Sequence, residues 1–233
     1  MSETFFFVAF PYMCLALFFI GTIHRYRKEK FTYSSLSSQF LESEHLFFGS
    51  MPFHYGILLL FFGHLFAFLF PKTLMAINRI PVRLYIIEAS AFIFALGTLV
   101  GLLNLIYRRL TNHKIRQVTT VMDIFILLLF LVEVSLGMHI ALAYRWGSAW
   151  FPVFVTPYLR SLFRFSPNLT TIANLPFTVK AHIVIAFGIF AIIPITRLVH
   201  ILVAPLHYIV RPYQRVIWNW ERKKIATPEE VEV

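Results

Sequence analysis

Residues 53–70 read Phe53-His54-Tyr55-Gly56-Ile57-Leu58-Leu59-Leu60-Phe61-Phe62-Gly63-His64-Leu65-Phe66-Ala67-Phe68-Leu69-Phe70, with no Asp, Glu, Lys or Arg and two histidines inside the apolar run. A bilayer core of about 30 Å takes roughly 20 apolar residues of helix, so this stretch predicts a membrane span. Four further segments fit the same requirement: Phe5–Ile23, Leu84–Tyr107, Val121–Ala143 and Val179–Val203. Alternating ten-residue strand patterns are absent, which argues against a β-barrel. The expected fold is an all-α membrane protein with five transmembrane helices in one domain, 1–233, and a tail over 204–233. Only Ser2, Glu3 and Thr4 follow the first methionine before span one, so it lacks a basic n-region. It is also long for a signal peptide and has no small-residue cleavage site, and it reads as a retained span.

Composition agrees. Of 233 residues, 58% are hydrophobic, 18% aromatic and 14% charged, where a soluble domain carries about 25% charge. The 21 Lys and Arg exceed the 11 Asp and Glu by ten. A mean hydropathy of +0.72 nevertheless argues against a nucleic-acid-binding domain. The single cysteine, Cys14, excludes an internal disulfide, a Cys-ligated iron–sulfur cluster and a Cys-x-x-Cys-His haem attachment.

Lys and Arg set the orientation. Arg25, Arg27, Lys28 and Lys30 open the first loop, Arg108, Arg109, Lys114 and Arg116 occupy the third, and Arg211, Arg215, Arg222, Lys223 and Lys224 lie in the tail. The second loop has Lys72, Arg79 and Arg83, and the long fourth loop has Arg145, Arg160 and Arg164. The N-terminus is therefore expected outside and the C-terminus in the cytoplasm. The fourth loop, about Tyr144–Thr178, contains Pro152, Pro157, Pro167 and Pro176 and is expected to be irregular, with room for a short surface helix. Trp146, Trp150, Trp218 and Trp220 read as interface anchors. Ser34–Ser50 and the tail from Arg211 are expected to dock a soluble partner, or to lie on anionic lipid headgroups.

Nine histidines sort by depth. His24, His45, His113 and His207 fall in polar flanks, and His139, near the outer end of span four, has no evident partner. His54 and His64 in span two, and His182 and His200 in span five, lie where an ionisable group is expensive and function is the default reading. Spans two and five run antiparallel, so His54 matches His200 in depth on one side and His64 matches His182 on the other. Two imidazoles from facing helices are what a six-coordinate b-type haem requires; proton relay and simple packing are the competing explanations. The spacings do not match: ten residues of helix rise about 15 Å and eighteen about 27 Å. Serving both pairs requires helix tilt or inclined haem planes, and Pro194 is placed to kink span five. Gly63 and Gly188 remove side-chain bulk where a macrocycle or quinone ring could approach.

Arg197 stands one turn before His200, where it either pairs with a haem propionate or snorkels to headgroups. Glu88, Asp123 and Glu133 are the acidic residues at membrane depth. Asp123 reads as a helix N-terminal charge. Glu133 reads as protonated or hydrogen-bonded toward the bundle, with proton relay as the functional alternative.

Taken together, these motifs resemble the gamma subunit of respiratory nitrate reductase, a membrane cytochrome b. The resemblance is carried by Phe10-Pro11-Tyr12, Gly21, Arg25-Tyr26, Phe31-Thr32-Tyr33, Ser37-Ser38-Gln39, Phe53-His54-Tyr55-Gly56-Ile57-Leu58, Gly63-His64 and Thr119-Thr120 with Asp123. It is strongest at His182, Pro194 and Arg197-Leu198-Val199-His200-Ile201, and extends to Pro205 and Tyr213-Gln214. Both histidine spacings are those of the family. The resemblance implies two haem b groups: His54 and His200 as axial ligands of the proximal haem on the cytoplasmic side, and His64 and His182 of the distal haem. It favours a propionate contact for Arg197.

Quinol would be oxidised beside the distal haem, around Gly63 and His64, releasing protons outside. The family's lysine at the start of the third span is missing here; the matching stretch is Pro81-Val82-Arg83-Leu84-Tyr85, where Arg83 or Tyr85 could substitute as a donor. Implied partners are an iron–sulfur (beta) subunit, a molybdenum-containing (alpha) subunit that itself reduces nitrate, the quinol pool and lipid, in the cytoplasmic membrane of a prokaryote. The alternatives are a related cytochrome of a sulfite-reduction-linked or heterodisulfide-type complex, and a haem-free membrane anchor or transporter.

Overall fold

The computed structural model describes residues 2–29, 32 and 44–203. Expectations placed on Lys30, Phe31, 33–43, the His45 side chain and the tail, including His207, Trp218 and Trp220, lie outside the described residues. The described residues up to Leu202 belong to one compact unit. All regular structure among the described residues is helical. In chain order, a π-helical stretch Phe5–Ala9 leads into α1 (Phe10–Lys28), followed by α2 (Glu44–Leu69), α3 (Pro71–Asn78), α4 (Pro81–Thr111), α5 (His113–Gln117), α6 (Val121–Ala143), α7 (Gly147–Phe163) and α8 (Phe177–Ile192). Two 3-10 segments, Ile193–Ile195 and Arg197–Val203, close the described chain. Helical segments Phe5–Lys28, Phe47–Leu69, Pro81–Thr111, Val121–Ala143 and Phe177–Ile195 are long and apolar enough to cross a membrane. These are the five expected spans, and the protein is a multi-pass membrane protein.

Local chemistry sets the helix ends. Proline opens α3 and α4 at their first positions, where the missing N–H costs nothing. Asn112 caps α5 by accepting from the N–H groups of Lys114 and Ile115 at 3.0 and 3.3 Å. Thr120 and Asp123 form a reciprocal capping box on α6: Asp123 N–H donates to Thr120 Oγ1 at 3.2 Å, and Thr120 N–H to Asp123 Oδ2 at 3.0 Å. The reading of Asp123 as a helix N-terminal charge holds, though that charge has further partners described below.

Two expectations fail. The fourth loop is not mainly irregular: it carries α7, a seventeen-residue helix that includes Pro152 and Pro157. Its start is tied to α4, because Ser148 N–H and Oγ both donate to Glu88 Oε1, at 2.7 and 2.5 Å. Glu88 thus satisfies a helix N-terminus from within a span. Span five, in turn, is not one regular helix to Val203. Helix α8 ends at Ile192, and Thr196 is fully extended at φ −123°, ψ −178° between the two 3-10 segments. Pro194 has no N–H to continue the α pattern, and the carbonyls around the break are met from α1. Arg25 donates through Nη1 to Pro194 O at 2.7 Å and to Thr196 O at 3.0 Å. Gly21, one turn earlier on α1, leaves room for the ring: a Cβ there would lie 2.8 Å from Pro194 Cγ.

A comparable repair occurs at the other end of α1. Pro11 cannot donate to the carbonyl four residues back, Phe7 O, and the buried Tyr158 hydroxyl of α7 donates to it at 2.9 Å. Burial, with Tyr12 nearby, pushes the Tyr158 phenol above its ordinary pKa, so it stays a donor. Helix α2 lies flush on α4, because a Cβ at Gly101 would sit 2.5 Å from Phe53 N and 2.6 Å from Gly49 O, and one at Gly56 would collide with Thr98 Oγ1. That close seam fixes the rotation of α2 and leaves His54 and His64 exposed away from it.

Candidate functional site

The structure brings together both histidine pairs that depth matching links. His54 of α2 and His200 of the terminal 3-10 segment have ring centres 6.1 Å apart with planes inclined at 57°. His64 of α2 and His182 of α8 have ring centres 6.4 Å apart, inclined at 46°. The mismatch between the ten- and eighteen-residue spacings is absorbed by the break at Pro194, where the last span leaves α geometry before reaching His200. The continuous helical rise of about 27 Å expected between His182 and His200 is therefore interrupted after Ile192.

An iron bound on both faces by imidazole nitrogens at about 2.0 Å sets the ring centres roughly 6.3 Å apart. Both pairs fit that spacing. Among the described residues no group of three or more His, Cys, Asp and Glu could hold a metal ion. Each pair supplies two protein ligands, the number needed when a macrocycle provides the other four.

Ring orientation supports the same fit. His54 Nδ1 lies 2.7 Å from Ser50 O and 3.1 Å from Ser50 Oγ. His64 Nδ1 lies 2.8 Å from Leu60 O, and His200 Nδ1 lies 2.6 Å from Arg197 O. A main-chain carbonyl can only accept, so Nδ1 carries the proton in these three rings and Nε2 presents its lone pair as a metal ligand does.

His182 differs. Its Nδ1 lies 3.1 Å from Glu133 Oε1 of α6, within ion-pair distance. The approach is off the hydrogen-bond line, however, and both His182 Nδ1 and Glu133 Oε2 are buried without a hydrogen-bond partner. Gly137, one turn from Glu133, faces the same ring: a Cβ there would be 3.3 Å from His182 Cε1.

The surroundings of the two pairs also differ. Phe151 of α7 meets the His64 ring edge-on at 5.7 Å. Helix α7 also caps the end of α2, with Arg160 Nη2 donating to Phe68 O at 2.9 Å and to Leu69 O at 3.0 Å. Near His200, the buried Asp123 gathers charge: Arg197 Nε lies 2.9 Å from Oδ1 and Arg109 Nη1 3.6 Å from Oδ2. Arg109 also donates to Thr119 Oγ1 at 3.0 Å.

The remaining candidates are more dispersed. Gly63 is not a packing glycine, since a Cβ there meets nothing within 4 Å. Gly188 makes only ordinary contact, with Phe10 Cζ at 3.9 Å from its would-be Cβ. Arg83 is exposed in the first turn of α4 and forms no ion pair with another described residue. Tyr85 packs edge-on against Trp146, with ring centres 5.0 Å apart. His24, His113 and His139 are exposed, His139 beside the Tyr144 ring.

Sequence reasoning singled out Glu133 but not its partner, and it missed Gly137, Arg109 and the role of Arg25. The i, i+4 spacing of Glu133 and Gly137 was a usable signal that α6 presents one face to a buried group.

Fold and site together define a helical multi-pass membrane protein with two histidine pairs, each able to offer two imidazoles to one metal. A family model described as the nitrate reductase gamma subunit matches residues 3–219, and the chain belongs to that family. It is 34% identical over 220 residues to the respiratory nitrate reductase 2 gamma chain of Escherichia coli (strain K12), covering 92% of this chain and 96% of that one. It is 33% identical over 207 residues to the nitrate reductase gamma chain of Bacillus subtilis (strain 168), covering 87% and 92%. With the respiratory nitrate reductase 1 gamma chain of Escherichia coli (strain K12), identity is 30% over 221 residues, covering 91% and 96%.

Proposed function

We propose that this chain is the membrane-anchoring dihaem cytochrome b subunit of a respiratory nitrate reductase, oxidising quinol near the outer face and delivering electrons to a cytoplasmic iron–sulfur subunit. The observation that carries the reading is the pair of histidine centres at 6.1 and 6.4 Å. His54 and His200 hold the proximal haem b, and His64 and His182 the distal one. When bound, the haems supply one-electron relays between quinol and the partner subunit. The protein orients the His54, His64 and His200 imidazoles through Nδ1, leaves their Nε2 for iron and draws each pair from two separate helical segments.

Arg197, held by Asp123 close to His200, is the residue assigned to a proximal haem propionate. The open space at Gly63 beside His64 is assigned to the quinol ring, with the exposed Arg83 as a donor in place of the family's lysine. A molybdenum-containing partner reduces nitrate to nitrite. The distribution of Lys and Arg favours an N-terminus outside and a C-terminus in the cytoplasm, in a prokaryotic inner membrane. Releasing quinol protons outside while electrons leave inside moves charge across the membrane potential, worth about 2.3 kcal/mol per charge per 100 mV. Membership of the nitrate reductase family favours this partner set over a sulfite-reduction-linked or heterodisulfide-type complex.

A reduced-minus-oxidised spectrum of membranes carrying the complex tests the reading. It should show a b-type α-band that His54→Ala and His182→Ala each diminish. Absence of the band, or a band indifferent to both substitutions, rejects the dihaem assignment in favour of a haem-free anchor or transporter. Identification of co-purifying subunits tests the partners.

A further inference from the structure

We infer that Glu133 is a positioning residue for the distal haem, acting through His182 as the hydrogen-bond acceptor of its Nδ1–H. The inference rests on the dihaem reading and adds an asymmetry between its two centres. Three of the four ligand histidines are held by main-chain carbonyls close to them in their own span, those of Ser50, Leu60 and Arg197. His182 is instead faced by a carboxyl group from another helix, with Glu133 Oε1 at 3.1 Å.

Burial makes this contact consequential. Glu133 is 8% exposed in the middle of α6. An acidic side chain at that depth is expensive unless it has a partner, and a buried polar atom left unpaired costs about 1–3 kcal/mol. His182 Nδ1 and Glu133 Oε2 are both buried without a hydrogen-bond partner, so a small turn of either side chain converts the off-line approach into a bond and satisfies the imidazole. Gly137 supplies room for that turn, since a Cβ there would press on His182 Cε1 at 3.3 Å. Acceptor and clearance come from one face of α6, four residues apart, and together they form a notch that seats the ring.

The chemistry follows from ligation. An acceptor on Nδ1 fixes the tautomer and ring plane and makes Nε2 a more basic ligand. A more basic axial ligand favours ferric over ferrous iron, so the distal haem is held at a lower potential than it would have without Glu133. His64, on the opposite face, keeps its main-chain acceptor, so the effect is specific to one ligand of one haem.

The test is potentiometry with EPR of both low-spin haems in membranes containing the intact complex, comparing wild type, Glu133→Gln and Glu133→Ala. Glutamine keeps an acceptor oxygen and alanine removes it. The expected result is an upward shift of the distal potential and a moved distal low-spin signal. Both effects should be at least as large in Glu133→Ala as in Glu133→Gln, with the proximal haem unmoved. Distal signals at wild-type values in both variants, or proximal signals that move equally, overturn the inference. Should the alanine variant not accumulate, Glu133→Gln decides alone by the same criteria. A wild-type sample without two b-type signals defeats the dihaem reading itself, so the two failures are distinguishable.

Discussion

The two ends of the bundle build the same kind of histidine pair from different materials. At the His64–His182 end both histidines come from regular helices, and beside the Leu60 carbonyl that holds His64 the ring neighbours come from other helices: the Glu133 carboxyl and the Gly137 backbone on α6 and the Phe151 ring on α7. At the His54–His200 end one ligand sits beyond a broken span. Support there comes from charge, with Arg25 on the carbonyls of the break and Asp123 on Arg197 and Arg109. A helical ligand needs only a neighbour to fix its ring, whereas a ligand on a 3-10 segment needs its backbone held as well. The first end should therefore respond to changes around the ring, and the second to loss of distant polar contacts.

Substitutions of the ligands would break the comparison most completely. His54→Ala and His200→Ala should abolish the same haem signal, and His64→Ala and His182→Ala the other, each leaving roughly half of the b-type absorbance. Loss of both signals in every variant would show that the ends are not independent; difference spectra with EPR make the check.

Next comes Asp123. Removing one partner of a buried ion pair costs about 3 kcal/mol, so Asp123→Ala should lower thermal retention of the His54–His200 haem while sparing the other. Asp123→Asn keeps part of the cap and should fall between the two.

Arg25→Ala should act at the same end through the break in span five. Hydrogen bonds to charged groups contribute about 1.5–3 kcal/mol, and the His200 centre should again fail first on heating. Its counterpart is Tyr158→Phe, which strips the donor from Phe7 O and should cost about 1–2 kcal/mol, read at the His64–His182 end. Equal effects of Arg25→Ala on both haems would dissolve the distinction drawn here.

The smallest effect belongs to Lys180→Ala. Lys180 pairs with the exposed Glu3 at 2.6 Å, a contact worth less than about 1 kcal/mol and weakened by salt. It lies two residues before His182, so an unmoved distal haem signal in this variant shows that proximity in sequence is not what tunes the ligand.

Much of this architecture is legible in the sequence because hydrophobic length is a strong signal. The five spans follow from apolar runs, and the histidine pairs from depth matching between antiparallel helices. The break at Pro194 was only half legible. Proline announces a kink, but the extended Thr196 and the 3-10 turns depend on Arg25 and Gly21, some 170 positions earlier. The extent of α7 was obscured by Pro152 and Pro157, which read as loop residues yet are accommodated within the helix. The partner of Glu133 was hidden for the same reason as that of Arg25: pairing across helices depends on rotational setting, and close glycine seams such as Gly101 on Phe53 set that rotation. Arg83 illustrates a different gap, since an exposed residue in a first turn carries no geometric signature of what it binds.

The bond from Arg25 to Pro194 spans 169 residues of chain, and this bears on when the protein can mature. At roughly 5–20 residues per second of synthesis, about 8–34 s separate the emergence of the guanidinium from that of its acceptor. During that interval Arg25 waits in the flank of a span already threaded into the bilayer. Neither centre can be completed before the last segment arrives, because His182 and His200 are both made late. A chain released before Pro194 would leave the first helix with its clasp open and the His54–His200 pair unformed. Closure of both histidine pairs is thereby tied to the arrival of the last described segment.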